Sequence, residues 1–505
     1  MLLEAFRLFL FARLSTDKIY IYFLVTFAIF MASHGAYMIS PSHNFQDWLT
    51  IAGVNHYGLS EGRVFAYLSR KLQSDVNIIG LQLMFSYSVL SILPFFLLQP
   101  DQTKLSNAVF IFGVGTTYPL FVDVLGLDGW SATAFLALLF GFTGFSFAVI
   151  DLKIRRFFRL AIGIFFVVCG TMTYQTYTFL GVLVPCIALI SASKRSISSS
   201  IRLILDTAII LIISVVLFVV LLTFTFFIFD IEPNEKLSQS GFRFLINKKM
   251  FYMYGASVWP HLNGIRPAFE HLKPVYYSYL QLIVFLSIPI LFVVSAKKYY
   301  ENKDIRIVFV VIGLIGAMFV APFNIALLFD IYLPPRARAG FDFAMAASFI
   351  AILYAAVKYL PQTSGLKIGK HISKIIVFLT IVFVLSGTVA SGYLWNFSKV
   401  IHRKDAAKAL SIHANFVEVT RTEKLQSNKL ILVGSDDTGE WFYSLKSAFK
   451  KPWSAEAIME SMYDLDVEYL RHYEFKGSCN AFPSANSVFV KNKIVHVCLQ
   501  DINWN

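Results

Sequence analysis

The chain has 505 residues, of which 57% are hydrophobic and only 15% charged, and it carries a formal charge of +13. A soluble domain normally holds about a quarter charged residues, so this balance excludes an ordinary soluble protein and points to lipid. The basic residues are scattered through short loops between apolar runs, which excludes a nucleic-acid surface and matches the loops of membrane proteins.

The elements follow in chain order. Leu2 to Leu14 is an amphipathic stretch with Arg7 and Arg13, followed by Lys18, and reads as an interfacial anchor. No small-residue cleavage site precedes the next apolar run, so no cleavable signal peptide is expected. A crossing helix needs roughly 20 mostly apolar residues. Runs of that kind are Ile19–Ile39, Ile78–Leu98, Trp130–Ile150, Leu203–Phe229, Tyr276–Ala296, Ile305–Leu328, Gly340–Tyr359 and Ile375–Trp395, with a shorter one at Leu105–Val122. Leu160–Ala192 is 33 residues without a charge. That is long for one helix and tight for two. Splitting it at Thr173-Tyr174-Gln175-Thr176 gives about eleven crossings.

Charge tests the split. With the N-terminus cytoplasmic, the later inside loops 192–202, 297–306 and 358–374 hold eleven Lys/Arg in 38 residues. The later outside loops 230–273 and 329–339 hold eight in 55. The denser positive side is inside, as the positive-inside rule requires. Cys169 and Cys186 lie within apolar helices and read as packing residues. Cys479 and Cys498 fall together near the C-terminus, where they suggest either a disulfide in an oxidising compartment or two free thiols.

The expected fold is an α-helical polytopic membrane protein over residues 1–395, with outside loops 40–77 and 230–273, and a small α/β domain over 396–505. In that domain Lys429–Gly434 reads as a buried strand. Glu456–Tyr473 has helical spacing, and Ser487–Leu499 reads as a hairpin around Lys491-Asn492-Lys493. Asp436-Asp437 fits a turn after a strand, or a cation site.

Polar residues that carry chemistry concentrate in the outside loops. In the first, Asp47 at the mouth of the bundle can serve as a general base, and Arg63 can grip a phosphate through its planar fork. Equally, Asp47 caps a surface helix and Arg63 snorkels. Asp123 and Asp128 lie in the second outside turn, where two acids between apolar helices are costly, although Asp128-Gly129 also reads as a plain turn. Tyr174 and Gln175 suit either a sugar or a helix break. Arg336 and Arg338 precede a helix with Asp342 in its first turn. Arginines there oppose the helix dipole unless an anion or carboxylate meets them. The loop 230–273, with Tyr252, Tyr254, Trp259, His261 and Arg266, fits a saccharide lid or an aromatic belt. No zinc spacing, P-loop, dinucleotide fingerprint or nucleophile elbow stands in a suitable context.

Several of these features, in this order, resemble a known family. They are Asp47 followed by Gly62-Arg63; Tyr118-Pro119-Leu120-Phe121 leading to Asp123, Asp128 and Ser131; Tyr174-Gln175 breaking a long apolar segment; and the turn Pro335-Arg336-Ala337-Arg338-Ala339-Gly340-Phe341. Over nearly its full length the chain is similar to the phage-type serotype-converting O-antigen glucosyltransferases, the Gtr type II family. It departs from them at Gln46-Asp47, where the family shows two adjacent acids, and in a shorter spacing between the acids of the second turn.

The resemblance implies a GT-C-like glycosyltransferase of the bacterial inner membrane, with the C-terminal domain periplasmic. The donor would be undecaprenyl phosphate glucose, supplied by a separate synthase and flippase. The acceptor would be a hydroxyl of the lipopolysaccharide O-antigen repeat. Asp47 would be the base, with Asp123 or Asp128 second, and Arg63, Arg336 and Arg338 would hold the phosphate. No metal-ligand cluster stands out, and whether a divalent metal assists stays open. Two rivals are a polysaccharide polymerase, which fits a folded C-terminal domain less well, and a transporter, whose common mark of internal repeats is not seen.

Overall fold

The computed structural model describes residues 15–39, 64, 79–99, 102–117, 120–125, 131–150, 155–191, 195–230, 276–301, 303–323, 340–359, 368–435, 447–450, 452–471, 473–484 and 486–502. The chain divides into two compact units. One comprises Met1–Gly35, His56–Val124 and Trp130–Gly392, and the other Ala36–Asn55, Leu125–Gly129 and Tyr393–Asn505.

The first unit is helical. Among the described residues each apolar run named above contains helix: α1 (Thr16–Ile39), α2 (Ile79–Leu97), α3 (Leu105–Thr116), α4 (Leu120–Leu125), α5 (Ser131–Val149), α6 (Arg156–Phe179), α7 (Leu183–Ile190), α8 (Ile197–Phe229), α9 (Tyr276–Glu301), α10 (Ile307–Ile315), α11 (Phe341–Tyr359) and α12 (Ile368–Thr422). Among the described residues six helical segments are long and apolar enough to cross a membrane, and Leu81–Leu97, Leu105–Thr116, Ile307–Val320 and Phe341–Val357 are shorter apolar helices. On α8 the side chains of Ile212, Val216, Val220, Phe224 and Phe227 are all more than half exposed. An apolar stripe of that length at helical spacing is what a helix shows to lipid.

The structure describes a reversal inside the uncharged run. Tyr174 leaves the helical region (φ −158°, ψ 103°), and a Cβ on Gly170 would lie 2.7 Å from the Thr178 side chain. Residues eight apart in a straight helix are about 12 Å apart, so the chain folds back between them. The helix before the break also runs parallel to α8. Asp206 pairs with Arg156 and Arg159, Gly163 abuts Ile210, and Met172 clusters with Phe218 and Leu222. Two parallel helices require a returning segment between them. Gln175–Ile190 is that segment, and Gln102, beyond the end of α2, bonds Ser191 at its far end. Helix α5 nests against both arms through glycine. Gly144 meets Gly163 and Val167, while Gly141 meets Thr178 and Gly181 so closely that any Cβ would strike backbone. Small residues permit this approach, as at membrane helix crossings.

The second unit contains the tail of α12, helix α13 (Pro452–Tyr463) and strands β1 (Lys429–Val433), β2 (Asp466–Leu470), β3 (Val488–Lys491) and β4 (Ile494–Cys498). The sheet order is β2-β1-β4-β3, with β1 parallel to β2 and β4, and β3 antiparallel to β4. β1 is buried on both faces, as a central parallel strand must be. Leu430 and Leu432 pack against Ala409, Ile412 and Phe416 of α12 and Ile458 and Met459 of α13. Ile431 and Val433 face Phe475, Cys479, Cys498 and Ile502. Cys479 and Cys498 form a disulfide. The buried Asp405 of α12 accepts from the Ser447 hydroxyl (2.6 Å) and the Ala448 amide (2.7 Å), fixing the turn before α13. The β3–β4 hairpin turns at Asn492 and Lys493, both with positive φ, the pattern of a two-residue type I′ turn. The expected helix at Glu456–Tyr473 is corrected. It ends at Tyr463, Asp464 takes a left-handed φ of 52°, and Asp466–Leu470 is a strand on β1. The expected last crossing, to Trp395, also runs further, as α12 continues unbroken to Thr422.

Candidate functional site

The site is built where the reversal in α6, the short helix α4, and the first turn of α11 come together. A chain of rings joins them. Phe343 of α11 meets Phe121 of α4 edge-on at 5.9 Å, Phe121 stacks on Phe135 of α5 at 6.2 Å, Phe135 meets Tyr177 at 6.5 Å, and Tyr177 meets Tyr174 at 5.3 Å. Gly340 sits against the Leu180 side chain, and Gly115 of α3 against the Phe343 ring. Val64 packs on Met172, Phe218 and Leu222, with Met172 two residues before the break.

Within this apolar frame the polar side chains are conspicuous. Tyr174, Gln175, Thr171, Thr173 and Thr178 are buried around the break. Asp342, in the first turn of α11, is fully buried. Its Oδ1 accepts from the Gln281 amide of α9, and its Oδ2 has no hydrogen-bond partner among the described residues. Leaving a buried acceptor unmet costs roughly 1–3 kcal/mol, so an orphan of this kind asks for an explanation. A buried carboxyl oxygen with spare acceptor capacity is suited to take a hydrogen bond from a hydroxyl; Phe343, the next residue, begins the ring contacts that lead to Tyr174. The helix start adds orienting backbone amides, which favour negative charge.

No protein-family model and no curated protein matches this sequence. The site therefore stands on its own residues. Tyr174 and Gln175, named from the sequence, lie at the break and are buried. Asp123 lies on α4, which the ring chain connects to the same place. Asp47, Arg63, Asp128, Arg336 and Arg338 lie outside the described residues, as do Asp436-Asp437 and, after Asp230, the rest of the loop 230–273. Sequence reasoning noted Asp342 only as the neighbour of two arginines. The signal it carried was an acid at the start of an apolar helix, two residues after Gly340. Its partner Gln281 is 61 residues away, a pairing that local pattern does not reveal. Among the described residues there is no group of three or more His, Cys, Asp or Glu able to hold a metal.

Proposed function

We propose that this chain is a GT-C-like membrane glucosyltransferase, moving a glucosyl residue from undecaprenyl phosphate glucose to a sugar of the lipopolysaccharide O-antigen repeat at the periplasmic face of the inner membrane. The observation that carries this reading is the buried Asp342 with one open carboxyl oxygen. It stands at the start of the helix that follows Arg336-Ala337-Arg338 in sequence, next to Phe343, from which ring contacts lead to Tyr174. Acid, cation-rich turn and polar break are the parts that lipid-phosphate sugar chemistry needs.

The reaction is a single displacement. The acceptor hydroxyl oxygen bonds to the anomeric carbon as the carbon–oxygen bond to the phosphate breaks. The phosphate leaves with the electron pair, and a carboxylate takes the hydroxyl proton. The anomeric centre inverts. Asp47 is the assigned base, with Asp123 and Asp128 as the alternatives, and Asp342 orients the acceptor. Arg63, Arg336 and Arg338 balance charge growing on the leaving phosphate. Fixed donors at such a place are worth roughly 3–4 kcal/mol. Tyr174 and Gln175 bind the sugar. A separate polyprenyl-phosphate glucose synthase and a flippase supply the donor. The eleven-crossing topology, with the N-terminus cytoplasmic and residues 396–505 periplasmic, puts the outside loops on the donor's side.

The test is analysis of the O-antigen from cells with and without this gene, and with Asp47→Asn or Asp342→Asn at matched protein level. Glucosylated side branches are expected only with the gene. Asp47→Asn should reduce them at least about 100-fold, in the range of a lost general base. Asp342→Asn keeps the amide contact and should reduce them less. Unchanged branching with altered chain length would instead identify a polymerase.

A further inference from the structure

We infer that Arg156, Arg159, Arg202 and Asp206 form a binding site for the phosphate of an acidic phospholipid, on the membrane face from which α6 and α8 start. This site is separate from the one above and does not depend on the glucosyltransferase reading.

Asp206 of α8 is fully buried. Its Oδ1 accepts from Arg156 Nη2 at 2.6 Å and Nε at 2.9 Å. Its Oδ2 accepts from Arg159 Nη2 at 2.5 Å, and Arg202 Nε stands 3.9 Å from the same oxygen. Arg159 Nη1 donates to the Ile150 carbonyl at 2.8 Å. Three guanidiniums thus share one carboxylate. A brace between two helices needs one cation for one acid. Among the described residues the buried Arg159 and Asp206 balance each other, so the half-exposed guanidiniums of Arg156 and Arg202 are positive charge beyond that pair at the end of two apolar helices, and an anion would answer it.

Two further observations point to that anion. Arg159 has only 6% of its side chain exposed, yet its Nε has no acceptor among the described residues. Arg156 and Arg202 are about half exposed, at 46% and 52%, so their remaining donors can be reached from outside the bundle. What lies beside them is apolar. Phe157 and Phe158 adjoin Arg156, and Ile201 and Leu205 flank Arg202 and Asp206, all exposed. A soluble anion would leave those side chains uncovered. A phospholipid sets its phosphate on the guanidiniums and its acyl chains on the apolar flank, as basic pockets between membrane helices do.

The experiment uses the full chain purified in neutral detergent, with native mass spectrometry and thermal unfolding as readouts. Dioleoyl phosphatidylglycerol, dioleoyl phosphatidylcholine and inorganic phosphate are added separately. Phosphatidylglycerol is expected to be retained about tenfold better than phosphatidylcholine, the worth of a charge-assisted hydrogen bond. Arg156→Gln with Arg202→Gln should remove that preference while leaving retention of phosphatidylcholine, which also reports that the variant is folded. Arg156→Lys with Arg202→Lys should keep most of it. Equal retention of the two lipids, or an undiminished preference in the Gln variant, overturns the inference. Stabilisation by inorganic phosphate equal to that by phosphatidylglycerol overturns the lipid assignment.

Discussion

Two buried aspartates illustrate how one residue type is put to different uses. Asp206 is surrounded by guanidiniums on both oxygens. Asp342 has an amide on one oxygen and, among the described residues, nothing on the other. In the readings proposed above, the first organises an anion site and the second orients a hydroxyl. In the C-terminal unit a third titratable group sets a pH dependence. His496 of β4 stacks on Phe489 at 5.3 Å and lies 6.3 Å from Phe475, and burial pushes its pKa below the ordinary 6.5. The folded form therefore binds the proton less readily than the unfolded one. Its contribution is fully present above pH 6.5 and is lost as pH falls through the lower, folded value. Hydrogen-exchange protection of the β3–β4 peptides, corrected for intrinsic exchange, should fall from pH 7 toward pH 5. His496→Phe, which keeps the ring stack, should flatten that fall. An equal slope in the variant would remove His496 as its source.

At the level of elements, the reversal at Tyr174 depends on glycine. A Cβ on Gly141 would stand 2.0 Å from the Thr178 carbonyl oxygen, whereas one on Gly392 meets nothing within 4 Å. Gly141→Ala should cost about 1–3 kcal/mol through forced separation of α5 from the returning arm. Gly392→Ala, in a helix with open space, should be neutral or gain up to about 1 kcal/mol. Thermal unfolding of the two variants in one detergent measures the contrast, and similar shifts would contradict the packing argument. Much of this organisation was legible in the sequence, because lipid solvation demands long apolar helices and a charge-free run of that length needs a polar break. The strand at Lys429–Val433 and the hairpin at Lys491-Asn492-Lys493 were legible for the same kind of local reason. β2 was not. Its apolar residues Val467 and Leu470 continue the spacing of Ile458, Met459 and Met462, and only the left-handed Asp464 and pairing with β1 separate helix from strand. In the site, Tyr174 and Gln175 announced themselves as a break. Asp342 acquired meaning only through burial and Gln281, contacts that depend on tertiary packing.

For the whole molecule, the disulfide between Cys479 and Cys498 bears on the compartment of the C-terminal unit. Structural disulfides form in oxidising environments, in keeping with the proposed periplasmic placement. When thiols are blocked at harvest, both cysteines should stay unlabelled until a reductant is added. Two freely labelled thiols at harvest would put the domain in a reducing compartment and remove the proposed topology. Replacing both cysteines with serine should cost about 3 kcal/mol for a loop of this size, read as faster local hydrogen exchange around β4.

The fold-back within α6 also bears on how the protein is made. Around Tyr174 there is no lysine or arginine to hold the turn on either side during insertion, and orientation of membrane segments is set chiefly by such charges. In the proposed eleven-crossing topology the outgoing and returning arms must therefore partition into the bilayer together, as one hairpin. In the proposed topology the orientation of every later segment is then decided at that step. In the proposed topology, a change that let the run enter as a single helix would invert everything synthesised after it and would move the C-terminal cysteines to the reducing side.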